Sequence, residues 1–167
     1  MARKNVAPLD AGADFPPLSL SIIDGTSLVA PSGLVRPFNV VLVNRGAWCP
    51  FCTGQLKAFQ SGLTKLTAEG IGVASLSTDS LNSAQSLRRE HGLEFPMAYG
   101  ADVHAVAEAL GVFYDAEPAH TAPFLQSAGF VLGPGGKILS ATYSTGAIGR
   151  LIWQDVLSLV QYLKKSS

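Results

Sequence analysis

The segment from residue 39 to residue 69 joins an uninterrupted apolar run to an amphipathic helix, and it constrains the fold more than any other stretch. We predict a strand from Asn39 to Asn44, because residues 40–43 contain no polar side chain, which is typical of a strand buried on both faces of a sheet. A helix is predicted from about Pro50 to Glu69, because apolar residues recur there at intervals of three and four. These residues are Leu56, Phe59, Leu63 and Leu66. A buried strand followed by a packed helix predicts an α/β layer fold.

The rest of the chain continues to alternate strands and helices. We predict strands at 18–22, 27–29, 71–77, 95–99, 127–132 and 138–143, and helices at about 80–91, 102–110 and 151–165. Asp24-Gly25 and residues 133–136 predict hairpin turns, and residues 113–126 a loop. The alternation predicts a mostly parallel sheet with an antiparallel edge, in a single domain over residues 1–167. Residues 1–17 are predicted to form an extended N-terminal arm.

Charge and hydropathy exclude several classes of protein. The 167 residues include twelve basic and twelve acidic side chains, so no net charge favours nucleic acid or an anionic membrane. Charged residues make up only 14% of the chain and hydrophobic residues 47%, which argues against disorder. No apolar run is long enough to span a bilayer or to serve as a signal peptide. We therefore expect a cytoplasmic protein without a membrane or nucleic-acid partner.

Cys49-Pro50-Phe51-Cys52 lies between the buried strand and the helix, with Pro50 at the helix start. Free N–H groups and the positive end of the helix dipole favour a thiolate at Cys49, so this thiol should ionise readily. Cys52 lies one turn further on and shares the apolar face of the helix. We therefore predict an exposed, attacking Cys49 and a sheltered Cys52 that can close a disulfide with it.

A pair of cysteines at this spacing can also be structural. Free cysteines are often simply buried in a core, but a CxxC motif between a strand and a helix of an α/β chain favours redox chemistry. A structural zinc site needs four ligands, and no second CxxC or suitably spaced histidine is present. No metal or other cofactor is therefore expected.

The segment Arg45-Gly46-Ala47-Trp48-Cys49-Pro50-Phe51-Cys52 resembles the signature of peroxiredoxin-like proteins. These form the alkyl hydroperoxide reductase/thiol-specific antioxidant (AhpC/TSA) family of the thioredoxin superfamily. The similarity continues through residues 11–20, 77–80, 129–136 and 146–150. It implies a thioredoxin-like fold of the peroxiredoxin type, with an N-terminal hairpin and an inserted strand–helix unit.

Two positions depart from the pattern that the resemblance implies. Gly46 stands where the family usually has a threonine, and Ser127 stands where it usually has an arginine that holds the thiolate. Arg45, close before Cys49, and Arg150, which matches a second family arginine, are the candidates to supply the missing cation. Trp48 either covers the site, as the tryptophan of thioredoxins does, or packs as an ordinary aromatic residue.

One histidine and two tyrosines have side chains that could take part in a reaction or pack in the core. His120, in the predicted loop, is either a proton donor or a solvated histidine. Tyr114 and Tyr143 are interpreted as core or rim residues.

The resemblance and the motif together predict a thiol-dependent antioxidant oxidoreductase. In one version Cys49 reduces a hydroperoxide, becomes a sulfenic acid and is resolved by Cys52. In the other, the same pair exchanges with a disulfide substrate. Either cycle would be completed by a thioredoxin-like donor or a small thiol, and the sequence leaves room for a homodimer. A non-catalytic binding module is the third alternative, and it predicts an inert Cys49.

Overall fold

The computed structural model describes residues 3–4 and 7–167 of the chain. The described residues contain four α-helices, which are α1 (Pro50–Ala68), α2 (Leu81–His91), α3 (Val103–Leu110) and α4 (Trp153–Lys165). The longer strands are β2 (Leu18–Ile22), β3 (Ser27–Ala30), β4 (Phe38–Val43), β5 (Ile71–Leu76), β6 (Met97–Tyr99), β9 (Ala128–Leu132) and β10 (Ile138–Tyr143). The two-residue strands are β1 (Arg3–Lys4), β7 (Tyr114–Asp115) and β8 (Phe124–Leu125).

Seven strands form one central sheet in the order β10-β9-β4-β5-β6-β2-β3. The central pairs β4–β5 and β5–β6 are parallel. Strand β9 pairs antiparallel with both β4 and β10, and β2 pairs antiparallel with both β6 and β3. The prediction of a mostly parallel sheet is therefore wrong, because each hairpin joins the sheet through a strand that runs against its neighbour.

The predicted elements that define the architecture are confirmed. Strands β2 and β3 are the N-terminal hairpin, and β6 with α3 is the strand–helix unit inserted after α2. Apolar side chains of β4 alternate between two cores: Val40 and Leu42 pack with α1, while Val41 and Val43 pack on the opposite face with α3. This alternation buries both faces of the strand, as its uninterrupted apolar run predicted.

Helices α1 and α4 lie close together on one face of the sheet. Gly62 of α1 faces Trp153 of α4, and a Cβ atom at Gly62 would collide with the indole ring. Val156 and Val160 of α4 are buried in the same core. This packing fixes where α4 begins, and therefore where Arg150, three residues before it, meets the sheet.

Two segments outside the main sheet differ from the predicted loop and arm. The predicted loop at 113–126 contains β7 and β8, which pair with each other. The arm is tied to the body by β1, which pairs with β7, and by the backbone hydrogen bond from Gly12 to Ile138. Part of the predicted arm, residues 1, 2, 5 and 6, lies outside the described residues.

Candidate active site

The site forms where the parallel strands β4 and β5 end, because the carboxyl ends of parallel strands meet at one edge of a sheet. Cys49 is the residue that caps the N-terminus of α1, with extended backbone angles (φ −91°, ψ 113°) and no cap hydrogen bond from its side chain. Pro50 is in the first turn of the helix, as predicted. Cys49 therefore lies at the positive end of a nineteen-residue helix.

Both thiols are free and both are buried, with 0% of Cys49 and 1% of Cys52 exposed. The prediction of a sheltered Cys52 is confirmed, but the prediction of an exposed Cys49 is wrong. The helix terminus alone would leave Cys49 open, whereas neighbouring side chains in the structure cover it. A substrate can reach the Cys49 sulfur only after part of this cover moves.

Arg45 is one of the side chains against Cys49. Its Nη1 donates to the Cys49 sulfur over 3.6 Å, and its backbone N–H donates to the Cys52 sulfur over 3.2 Å. The guanidinium carbon lies 4.9 Å from the ring centroid of Trp48 and 5.0 Å from that of Phe124. These cation–π contacts hold the charged group in place beside the thiol. Arg45 thus lies where it was predicted to lie.

Arg150 approaches the same sulfur from the segment before α4. Its Nη2 lies 3.8 Å from Cys49 Sγ, and its Nη1 donates to Ser127 Oγ over 2.6 Å and to Gln55 Oε1 over 3.3 Å. Within the described residues, neither Arg45 nor Arg150 forms an ion pair with a carboxylate. Both cations are therefore available to stabilise a thiolate.

The surroundings shift the two thiol pKa values in opposite directions. Burial opposes ionisation of Cys49, but the backbone N–H and thiol of Cys52 and the Arg45 guanidinium outweigh it, so the pKa of Cys49 is lowered. Burial raises the pKa of Cys52, and the neighbouring Cys49 raises it further, against the opposing effect of Arg150. The more acidic thiol is the one at the helix terminus, as the sequence predicted.

The turn between β4 and α1 explains why glycine occupies position 46. Gly46 has a positive φ of 144°, and a Cβ atom there would collide with Nε1 of Trp48. The backbone N–H of Cys49 donates to the Gly46 carbonyl over 3.0 Å. A threonine at this position would therefore need both a different backbone and a different Trp48.

The other aromatic residues and the histidine singled out in the sequence differ in how far they are exposed. Trp48 is 45% exposed, meets Phe124 edge to face and packs on the Arg45 guanidinium, which itself lies against the Cys49 sulfur. His120 is exposed, and no hydrogen bond from it to either cysteine is found in the described part of the chain. Tyr114 is buried and Tyr143 is partly buried, so the core-or-rim interpretation is confirmed for both.

Sequence reasoning missed three residues of the site. Gln55 is buried and connects two elements, because its Nε2 donates to the Leu151 carbonyl over 2.9 Å while its Oε1 accepts from Arg150. A polar residue three positions after Cys52, on the buried face of α1, was the available signal. Phe124 and Ser127 lie far from the CxxC motif in the sequence. No pattern around them indicated that Phe124 packs on Arg45 or that Ser127 accepts a hydrogen bond from Arg150.

A cavity of about 320 Å³ opens beside this group of side chains. Arg150 and Gln55 form its polar side, and Phe51 and Ile152, both half exposed, form its apolar rim. The described residues contain no group of three or more histidine, cysteine or carboxylate side chains arranged to hold a metal ion. In the same part of the chain, no helix is both long and apolar enough to cross a membrane.

Comparisons with known proteins identify relatives and structural neighbours of the chain. A curated peroxiredoxin of Treponema denticola is 24% identical over 159 residues, which cover 93% of this chain and 74% of the relative. Among solved structures, a cysteine mutant of peroxiredoxin 6 from Arenicola marina superposes with a TM-score of 0.78 at 18% identity, covering 95% of this chain and 74% of that one. AhpC of Mycobacterium tuberculosis gives a TM-score of 0.76 at 19% identity, covering 96% of each chain.

These structural neighbours share the thioredoxin-like fold of the peroxiredoxins, which confirms the predicted fold class. The model of the AhpC/TSA family matches residues 12–141, which include every strand from β2 to β9 and both cysteines. The chain therefore belongs to the AhpC/TSA family and is a peroxiredoxin-like oxidoreductase.

Proposed function

We propose that the protein is a thiol peroxidase in which Cys49 attacks a hydroperoxide and Cys52 resolves the product. The observation that carries this proposal is the convergence of two guanidinium groups, Arg45 at 3.6 Å and Arg150 at 3.8 Å, on the sulfur at the helix N-terminus. Both cations stabilise the thiolate before reaction, and both can stabilise the negative charge that develops on the departing peroxide oxygen.

In the first step the Cys49 thiolate attacks the distal oxygen of the hydroperoxide. A sulfur–oxygen bond forms, the oxygen–oxygen bond breaks, and the electron pair leaves with the proximal oxygen, which takes up a proton to give an alcohol or water. The sulfur is oxidised to a sulfenic acid. This chemistry requires no metal or organic cofactor.

In the second step Cys52 attacks the sulfenic sulfur, the two sulfurs bond, and the sulfenic oxygen leaves as water. The short spacing of the motif supports this step, since Cys52 lies within hydrogen-bonding reach of Cys49. Two electrons from a thioredoxin-like protein or a small thiol then reduce the disulfide and restore both thiols. A compartment that keeps thiols reduced, such as the cytoplasm, suits this cycle.

A second candidate function is exchange with disulfide substrates by the same pair. Gly46 and Ser127, which stand where the family usually has peroxide-binding residues, favour it. In that reaction the Cys49 thiolate would attack a substrate sulfur to form a mixed disulfide, and Cys52 would release the reduced substrate by closing the intramolecular disulfide.

Steady-state consumption of hydrogen peroxide and of an organic hydroperoxide, with dithiothreitol or a thioredoxin as donor, tests the first proposal. We expect turnover by the wild-type protein and none by Cys49→Ser. Reduction of a disulfide substrate without peroxide turnover would favour the second candidate. An inert Cys49, unreactive toward peroxide, disulfide and alkylating reagent in the native protein, would leave only a binding module.

A further inference from the structure

Asp79 follows β5 by three residues and comes directly before the cap of α2. Asp79 and Ser80 both carry a side-chain oxygen of the kind that caps a helix N-terminus. The structure assigns the cap to Ser80, whose side chain accepts from the backbone N–H of Ser83 over 3.2 Å. The carboxylate of Asp79 is therefore free for another role, and it faces the turn that leads to Cys49.

Hydrogen bonds to Ala47 and Ser77 hold the Asp79 carboxylate in place. Its Oδ2 accepts from the backbone N–H of Ala47 over 2.9 Å and from Ser77 Oγ over 2.9 Å. Ser77 Oγ in turn accepts from the backbone N–H of Asp79 over 3.2 Å. Because Ser77 bonds both to the side chain and to the backbone of Asp79, it restricts the orientation of the carboxylate.

The turn that Asp79 holds is the one that sets the position of Cys49. The backbone N–H of Cys49 donates to the Gly46 carbonyl, and Ala47 lies inside that turn. Gly46 has a positive φ and no side chain to limit its backbone angles. The turn therefore needs a contact from outside to fix its geometry. The bond from Ala47 to Asp79 ties it to the end of the neighbouring strand.

We propose that Asp79 is a positioning residue for Cys49: its carboxylate anchors the Ala47 N–H and so keeps the Cys49 sulfur in register with Arg45. The inference rests on the proposed function only in taking Cys49 as the reactive thiol. It extends that function by giving a role to a residue of the loop after β5, outside the segment that carries the CxxC motif.

The sign of the expected effect separates positioning from a simple charge effect. A nearby carboxylate disfavours a thiolate, so loss of its charge alone would lower the pKa of Cys49. Loss of the anchor does the opposite, because a displaced sulfur forfeits the guanidinium and N–H contacts that stabilise the thiolate. The two effects therefore predict shifts in opposite directions.

The test is the pH midpoint of Cys49 alkylation by iodoacetamide, followed by mass spectrometry of the Cys49 peptide. The midpoint is the appropriate measure, since the absolute rate also depends on how far the sulfur is exposed. We expect Asp79→Ala to raise the midpoint by about half a pH unit or more, equivalent to about a threefold fall in the ratio of thiolate to thiol at a given pH.

Asp79→Asn keeps an oxygen that can accept from Ala47, so its midpoint should equal that of the wild type or lie below it. If Asp79→Ala does not fold, Asp79→Glu makes the same prediction as alanine, because it keeps the charge and displaces the oxygens. An unchanged or lower midpoint in a folded Asp79→Ala or Asp79→Glu variant would overturn the proposal, as would an equal upward shift in Asp79→Asn.

Asp102→Ala is the matched control. Asp102 also accepts a backbone N–H, that of Ala105 over 2.7 Å, but it does so at the start of α3. Its loss should lower the thermal stability without moving the Cys49 midpoint, and a shift equal to that of Asp79→Ala would reduce Asp79 to a general structural role. The assay needs no peroxide, so failure of the peroxidase proposal would be seen separately as absent turnover.

Discussion

Nη1 of Arg150 lies 2.6 Å from Oγ of Ser127, while Nη2 of the same side chain lies 3.8 Å from the Cys49 sulfur. Position 127 is where the family resemblance implies an arginine, and in this chain the serine there accepts a hydrogen bond from Arg150, in the segment before α4. Arg150 and Arg45 thus both lie beside the thiol, although position 127 itself carries no charge. Backbone contacts to the Ala147 carbonyl, at 3.3 Å from Nε and 3.0 Å from Nη2, hold the Arg150 guanidinium from the other side.

Removal of either arginine should make Cys49 less acidic. For the wild type we expect an alkylation midpoint below the value of about 8.5 for a free cysteine. Arg45→Ala and Arg150→Ala should each raise that midpoint, because each removes a cation that favours the thiolate. Alkylation rate against pH, read at the Cys49 peptide, gives the midpoint of each variant.

Arg36→Ala is the control for the loss of one positive charge. Arg36 is exposed and precedes β4, whereas Arg45 follows the same strand at its other end. Its midpoint should match that of the wild type. If it shifts as much as the other two variants, the effect is one of net charge and not of the two local contacts.

The cover over Arg45 should limit which reagents reach Cys49. Trp48→Ala removes one of the two rings that hold the guanidinium, a contact worth about 0.5–1 kcal/mol at an exposed position. We expect Trp48→Ala to increase the rate of Cys49 alkylation more for a bulky maleimide than for iodoacetamide, because the larger reagent requires a wider opening. The measurement is the ratio of the two rate constants at a fixed pH.

Tyr162→Ala provides the comparison, because it removes an exposed aromatic side chain of α4 that is not stacked on Arg45. Its ratio of rate constants should stay close to that of the wild type. Equal ratios in Trp48→Ala and the wild type would show that the indole does not restrict access to the thiol.

The sequence predicted the elements around the site well, because their signals are local. The apolar run of β4 and the glycines after α2 and α3 are visible within a few residues, and the structure confirms each of those boundaries to within a residue. Pro50 at the helix start and the acidity of Cys49 follow from the same local information.

The errors come from contacts between distant segments. Arg45 lies against the buried Cys49 and packs on Phe124, which belongs to a two-residue strand too short to show any periodicity. The direction of β9 likewise depends on the route taken by the chain after α3, which no residue pattern records. The position of Asp79 before a predicted helix indicated a helix cap. Its sequence context gave no indication that it binds the turn before Cys49.

Two glycines of α1 should respond to alanine with opposite signs. Gly62→Ala forces a methyl group against the Trp153 indole, so α1 and α4 must separate or the ring must move. Overpacking of this kind costs about 1–3 kcal/mol in the free energy of unfolding. Gly54→Ala meets no heavy atom within 4 Å and should stabilise the helix by about 0.5–1 kcal/mol.

Urea denaturation of both variants gives the comparison directly, because the two substitutions add the same methyl group to the same helix. A loss of stability in Gly54→Ala equal to that in Gly62→Ala would contradict the close packing of α1 on Trp153. Arg150 precedes α4 by only three residues, so Gly62→Ala should also raise the Cys49 midpoint slightly.

The order in which the two cysteines act is the final prediction. Cys49 lies at the helix terminus against two guanidinium groups and has a lowered pKa, whereas the pKa of Cys52 is raised by burial and by Cys49. Cys49→Ser should therefore abolish reaction with peroxide and with disulfides. Cys52→Ser should keep the first step and lose the second, so that a product accumulates on Cys49. Mass spectrometry after one equivalent of oxidant identifies that product.

The trapped species also separates the two candidate functions. A sulfenic acid on Cys49, captured by dimedone, is expected for the peroxidase, and a mixed disulfide is expected for exchange with a disulfide substrate. If Cys49→Ser still reacts while Cys52→Ser does not, Cys52 is the nucleophile and the assignment is reversed. Serine is a matched replacement at both positions because it keeps the size of the side chain and removes only the reactive sulfur. Full turnover by both variants would remove the CxxC pair from the mechanism altogether.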